Sequence, residues 1–158
     1  MEEPAGPGAG RSQFVEAAAI LLQELGLTRM SGRVLAWLLV CEPAHQSAAQ
    51  LASALSASAG AVSAATRELV NFGLIERVAF PGDRKDYFVM RPEVWWTLAR
   101  QRLLVIHAFR ALAEAASRDM QPGATNERLD EMVRFYEFME QAMQAGIARW
   151  EAGREAAR

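Results

Sequence analysis

The stretch SAAQLASALSASAGAVSAATRELVNFGLIERVAFPGDRKDYFVMR, residues 47–91, is the most informative part of the chain, because its apolar residues change period part-way along. Ser47 with Gln50 three residues on has the form of a capping box, in which each side chain satisfies an orphan amide of a helix's first turn. Leu51 and Leu55 then place one apolar stripe on a helix of about two turns. Ser56, Ala57 and Ser58 interrupt it, and Ser58 suits the N-cap of a second helix. The inward face of that helix reads Val62, Thr66, Leu69 and Gly73. Beyond Gly73 the alternation is that of strands, Leu74–Phe80 and then Tyr87–Arg91, joined by Pro81, Gly82, Asp83, Arg84 and Lys85. The expected product is a hairpin with a charged tip.

Taken in order, these are a short capped helix, a tight break, a second capped helix and a hairpin. That order is a winged helix-turn-helix, a geometry that puts the second helix in a major groove and the wing beside the phosphate backbone. Helices flank it on both sides. Upstream, Val15, Ala18, Ala19 and Leu22 recur at helical spacing from Ser12 to Leu25, and Gly26 stops them. A second helix begins after Ser31 and carries Val34, Leu35, Leu38 and Leu39 to Pro43, too apolar all round for the surface. Downstream, Pro92 precedes a long helix through Trp95, Leu98, Leu103, Ile106, Phe109 and Leu112 to about Ser117, which Pro122 and Gly123 break. A last helix from about Asn126 carries a seam of Leu129, Met132, Tyr136, Met139, Met143 and Trp150, flanked by Phe135 and Phe138. It has more apolar surface than one partner helix needs.

The expected fold class is therefore mainly α with a small β-hairpin wing. Residues 1–11, with Pro4, Gly6, Pro7, Gly8 and Gly10, read as a flexible tail, and residues 12–28 as the N-terminal helix. The winged helix-turn-helix spans 29–92, and 93–158 form C-terminal helices. The Gly-x-Gly of the tail opens no strand-to-helix unit, so it is not a phosphate loop.

Composition limits the function. At 158 residues, 51% of them hydrophobic and 23% charged, the chain has material for one core and no room for a second catalytic domain. Seventeen basic against nineteen acidic residues give no blanket basicity, so a DNA role must come from local patterning. Residues 29–91 supply it mildly, with seven basic and five acidic side chains, while the remainder holds ten against fourteen. No apolar run approaches the roughly 20 residues that span a bilayer, and Met1, Glu2 and Glu3 do not begin a secretory signal, so the expected location is cytoplasmic. One cysteine, Cys41, and two histidines, His45 and His107, form neither a zinc ligand set nor a nucleophile–base pair that spacing brings together. Neither an enzyme nor a cofactor is expected.

At this point the chain resembles the MarR family of bacterial transcriptional regulators, in particular its GbsR-type branch. The likeness rests on Gln50-Leu51-Ala52, on Ser58, Gly60, Val62, Ser63 and Thr66-Arg67, and on Gly73-Leu74-Ile75 followed by Gly82-Asp83-Arg84-Lys85-Asp86-Tyr87-Phe88. It covers roughly residues 12–150. The resemblance implies a homodimer built from the N- and C-terminal helices, bound to double-stranded DNA at a pseudo-palindromic operator and released by a small-molecule effector, most simply as a repressor. Many family members carry Arg where this chain has Lys85. Lys is a strongly hydrated point charge that suits a narrow minor groove less well, so Arg84 is expected to be the stronger wing contact.

The inward stripe leaves Ser58, Ala59, Ser63, Ala64 and Arg67 facing outward on the recognition helix, with Asn71 at its end. Arg67 has the geometry for a bidentate guanine contact, Ser63 for a base edge or phosphate, and the alanine methyls for thymine methyls. Against that stand plainer readings. Arg84 and Lys85 also fit a solvated hairpin tip, Arg67 a surface charge paired with Glu68 or Glu76, and Asp83 a turn residue orienting the tip. Cys41 reads as an inert buried thiol. Trp95, Trp96, Tyr136 and Met139 fit either plain core or an effector pocket; GbsR-type relatives are associated with quaternary ammonium ligands, which an aromatic cage attracts through cation–π contacts. The competing function is a winged-helix scaffold that docks to proteins and has no DNA role.

Overall fold

The computed structural model describes residues 7–119 and 124–156. Its elements follow in the order α1 (Pro7–Glu24), α2 (Arg29–Val40), β1 (His45–Ser47), α3 (Ala48–Ala54), α4 (Ala59–Asn71), β2 (Ile75–Ala79), β3 (Asp86–Met90), α5 (Val94–Asp119) and α6 (Ala124–Ala156). The fold is mainly helical with a small antiparallel sheet, as the sequence predicts. The chain divides into two compact units, one through Leu98 and one from Ala99.

In the first unit Leu35, Leu51, Leu69, Leu74 and Ile75 are fully buried, with Val15, Val34 and Val62 beside them. α4 contributes Val62, Ala65, Thr66 and Leu69 to this core, and the Thr66 hydroxyl donates to the Val62 carbonyl at 2.9 Å, so its polar atom is satisfied. Gly73 does not belong to the inward face. It lies beyond the Phe72 cap with φ +68°, while its amide donates to Val70 at 3.0 Å and the Leu74 amide to Leu69 at 2.9 Å, a Schellman ending. Gly26, with φ +93°, ends α1 by the same pair of bonds, from its own amide to Gln23 and from Leu27 to Leu22.

Several boundaries differ from expectation. α1 begins at Pro7, so residues 7–11 of the expected tail are helical; proline's fixed φ suits a helix's first position, which the surrounding glycines obscure. The rest of that tail, residues 1–6, lies outside the described residues, as does the break at Pro122 and Gly123. α2 starts before Ser31, because the Thr28 side chain caps it by accepting from the Ser31 amide, and it stops at Val40 short of Pro43. The expected hairpin is part of a three-stranded sheet of order β1-β3-β2, in which His45 pairs with Val89 and Ser47 with Tyr87. His45 thus belongs to a strand. Three residues are too few to display an alternating pattern.

In the second unit, α5 from Ala99 and α6 run antiparallel. Ser117 donates to Asp130 at 2.8 Å near one end, and Glu140 accepts from Arg110 at 2.9 Å farther along. The Phe109 and Tyr136 rings stack at 5.6 Å between them. Phe135, Phe138 and Trp150 remain more than half exposed, which fits a seam with surplus apolar surface.

One contact between α1 and α2 leaves no slack. A Cβ on Gly32 would stand 3.0 Å from the Ala19 carbonyl oxygen and 3.1 Å from its Cα, both of them backbone atoms. Gly32→Val is expected to cost roughly 1–3 kcal/mol in urea denaturation, as overpacking does. An unchanged midpoint would show that the two helices do not need this close approach.

Candidate nucleic-acid interface

The recognition helix is presented by what holds it from behind. Ser47 and Gln50 form the full capping box of α3, with bonds of 2.8 and 3.3 Å, and Ser58 caps α4 by accepting from the Ala61 amide at 3.2 Å. With Val62, Ala65, Thr66 and Leu69 turned inward, Ser58, Ala59, Ser63, Ala64, Arg67 and Asn71 are all exposed, as the spacing predicts. Arg67 Nε donates to the Ser63 carbonyl of its own helix at 3.2 Å. Among the described residues it has no carboxylate partner: Glu76 faces Arg91 at 3.8 Å, and Glu68 points back to α2.

No local pattern in the sequence announces that backward contact, which joins residues forty positions apart. The Glu68 carboxylate accepts from the Thr28 hydroxyl at 2.8 Å, the Thr28 amide at 3.2 Å and the Ser31 hydroxyl at 2.7 Å. Burial alone would push the Glu68 carboxyl up, but the hydrogen bonds from Ser31 and Thr28 outweigh it and hold the group below its ordinary value. The opposite side of α2 is tied as well: Glu16 of α1 accepts from both Arg29 and Arg33 at 2.6 Å, and Arg33 also donates to the Leu55 carbonyl at 2.8 Å.

The wing has a built tip. The Asp83 amide donates to the Phe80 carbonyl at 3.1 Å, while its carboxylate accepts from the Lys85 amide at 3.0 Å and the Tyr87 hydroxyl at 2.6 Å. The Tyr87 bond holds Asp83 below the usual carboxylate range and, reciprocally, pushes the phenol up. Tyr87 also packs against Phe80 and His45, with ring centroids 5.3 and 5.2 Å away. Asp83 is therefore the orienting turn residue the sequence suggests. The Arg84 and Lys85 side chains beside it are exposed and make no ion pair among the described residues. Between wing and α4 lies a cleft of about 430 Å³ lined by Ser63, Arg67, Arg77, Lys85, Asp86 and Phe88, among others.

The remaining candidates fall in both units. Trp95 is exposed and Trp96 half-buried on the first turn of α5, within the first unit; Tyr136 and Met139 are half-buried on α6, where Tyr136 stacks on Phe109. The Cys41 thiol is buried and donates to the Pro43 carbonyl at 3.3 Å, and burial pushes it up, away from a reactive thiolate. His107 contacts Glu140 at 3.2 Å.

Over 140 residues the chain is 38% identical to the HTH-type transcriptional regulator MmpR5 of Mycobacterium tuberculosis, covering 87% of this chain and 85% of that protein. The chain belongs to the MarR family. A MarR family model matches residues 25–86, which hold the helix-turn-helix and most of the wing, and a model described as MmpR5-like MarR family transcriptional regulator matches 93–154. A crystal structure of a transcriptional regulator, 36% identical, superimposes with a TM-score of 0.72 over 90% of this chain and 99% of that one. As a MarR family member the chain is a DNA-binding regulator and not an enzyme. The subgroup these matches name is MmpR5-like, and they lend no support to the GbsR-type branch.

Because the folded Glu68 value lies below the ordinary 4.5, the stability this group contributes is in place above pH 4.5 and is lost as pH falls through the folded value. Glu68→Gln is expected to cost about 1–2 kcal/mol near neutral pH, with the gap to the unmutated protein closing as pH falls below 4.5 and through the lowered folded value. A gap independent of pH, in urea titrations across that range, would contradict the charge-dependent clamp.

Proposed function

We propose that this MarR family protein acts as a homodimer on a pseudo-palindromic operator and serves as a ligand-responsive repressor in the cytoplasm. The observation that carries the reading is the pairing of an exposed Arg67 on α4, with no carboxylate partner among the described residues, with the exposed cations Arg84 and Lys85 on a wing whose tip is held in shape. In this reading each α4 enters a major groove with its partner's copy about 34 Å away, one helical turn along the duplex. Arg67 reads a guanine, Ser63 a base edge or phosphate, and Ala59 and Ala64 touch thymine methyls, while Ser58 sits at the helix start near the backbone. Arg84 is the principal wing contact and Lys85 the weaker.

Dimerisation is supported by apolar side chains that a single chain leaves in water. Leu21 of α1 and Leu104 of α5 are each 69% exposed, and Leu112 and Phe138 each 64%. Apolar exposure of this extent is what an interface between two copies would cover. The proposed interface uses residues 12–28 and 93–158. Doubling the DNA contacts also offsets the small positive excess of residues 29–91. Repression follows from occupying the promoter, and an effector relieves it by favouring a dimer whose recognition helices no longer match one DNA turn.

Fluorescence anisotropy with duplex DNA from upstream of the protein's own gene, at several salt concentrations, tests the reading. Tight binding is expected to weaken with salt and to fall further in an Arg84→Ala, Lys85→Ala double variant, whereas Arg67→Ala relaxes selectivity at one base pair by about 1–3 kcal/mol. Absence of salt-dependent binding would favour the protein-docking scaffold instead. The GbsR-type affiliation carries its own effector proposal, a quaternary ammonium compound held on aromatic faces. It predicts a raised melting temperature with millimolar choline or betaine, and no shift with either removes that proposal.

A further inference from the structure

Three cations drawn from different parts of the fold line one cleft: Arg67 from α4, Arg77 from β2 and Lys85 from the wing tip, with Asp86 the single carboxylate among the cleft residues. Gathering like charges around a common space is unfavourable unless an anion neutralises them. The cleft lies between the two elements proposed to straddle the duplex. A helix in the major groove and a wing reaching the adjacent minor groove are separated by the sugar–phosphate strand, so that strand runs past the cleft.

Resting on the DNA-binding reading above, we infer that Arg77 is a phosphate-backbone contact of the operator complex, kept ready in the free protein by Phe88 and Asp86. Its guanidinium carbon stands 5.8 Å from the centroid of the Phe88 ring, which limits the side chain's freedom without neutralising it. Asp86 lies 3.3 Å away, and with the two side chains 57% and 54% exposed the pair is weakly held and open to exchange for a phosphate. Arg91, just beyond β3, has a similarly exposed pair with Glu76 at 3.8 Å, but it does not line the cleft, so position and not freedom from a carboxylate sets Arg77 apart. A phosphate contact positions the protein without reading sequence. Arg77 therefore supplies affinity and register, and Arg67 supplies selectivity.

The test uses the full chain and anisotropy salt titrations on two duplexes, one from upstream of its own gene and one of random sequence. The variants are Arg77→Met, which keeps an unbranched stem over Phe88, and Arg77→Lys, which keeps the charge. Arg77→Met is expected to weaken binding to both duplexes by roughly ten- to a hundredfold, since hydrogen bonds to charged groups carry that much. The slope of log K against log salt should also become shallower by about 0.9 per protomer bound. Arg77→Lys is expected to retain most of the slope, and neither variant to change the preference between duplexes. Far-ultraviolet circular dichroism and the melting temperature confirm folding. If Arg77→Met folds and binds with the unmutated slope while Arg84→Ala weakens binding, the inference is wrong although the regulator reading survives. If the unmutated protein shows no salt-dependent binding to either duplex, both fall.

Discussion

A helix of α4's length presents a defined face to a ligand only if it is prevented from rolling, and the stripe Val62, Ala65, Thr66 and Leu69 is what prevents it. These four positions are buried, so the outward set that includes Ser63 and Arg67 is fixed by exclusion. Apolar burial of this kind is strong and non-directional: it sets which side faces in but tolerates small rotations. The Glu68 carboxylate adds the direction. Held by the Thr28 amide and two hydroxyls at hydrogen-bond distance, it pins α4 to the start of α2 in angle as well as depth. The Schellman turn at Gly73 then reverses the chain into β2, which joins the same core through Ile75.

The wing solves a different problem, how to keep a charged tip in shape where there is little core to hold it. Its restraints are local and mostly uncharged: the rings of His45, Phe80 and Tyr87, and a turn organised by Asp83. Asp83 directs its two oxygens to a backbone amide and a phenol, so among the described residues Arg84 and Lys85 have no ion pair of their own. Local use of that carboxylate keeps the tip cationic in a chain whose total charge is slightly negative.

Much of this was legible in the sequence because it is encoded over short spans. The capping box at Ser47 and Gln50, the cap at Ser58 and the stripe from Val62 to Leu69 each depend on residues at most a few positions apart, and each is present as read. The exposed positions of α4 followed from that stripe. What escaped reading depends on distance or brevity. Glu68 is forty residues from Thr28, and its partner there is a capping residue already employed on α2, so no local pattern announces the pair. β1 has three residues and is a strand only because β3 runs beside it. Gly32 reveals its role only when Ala19 is placed against it. Arg77 read as one alternating residue of a strand, and its position in the cleft emerged once Asp86 and Phe88 were beside it. The start of α1 at Pro7 was masked by neighbouring glycines, whose low helix propensity outweighed a proline well suited to a first turn.

The Glu16 carboxylate is shared between two arginines, and one of them, Arg33, holds the Leu55 carbonyl with its other end. Leu55 is the residue that closes α3, so a single guanidinium spans from the first helix to the corner of the helix-turn-helix. That corner is itself taut, since Ser56 occupies a left-handed conformation with φ +48° that a residue other than glycine rarely adopts. One guanidinium thus fastens three helices at a single point, so the seat of α1 and the joint between α3 and α4 share a common anchor.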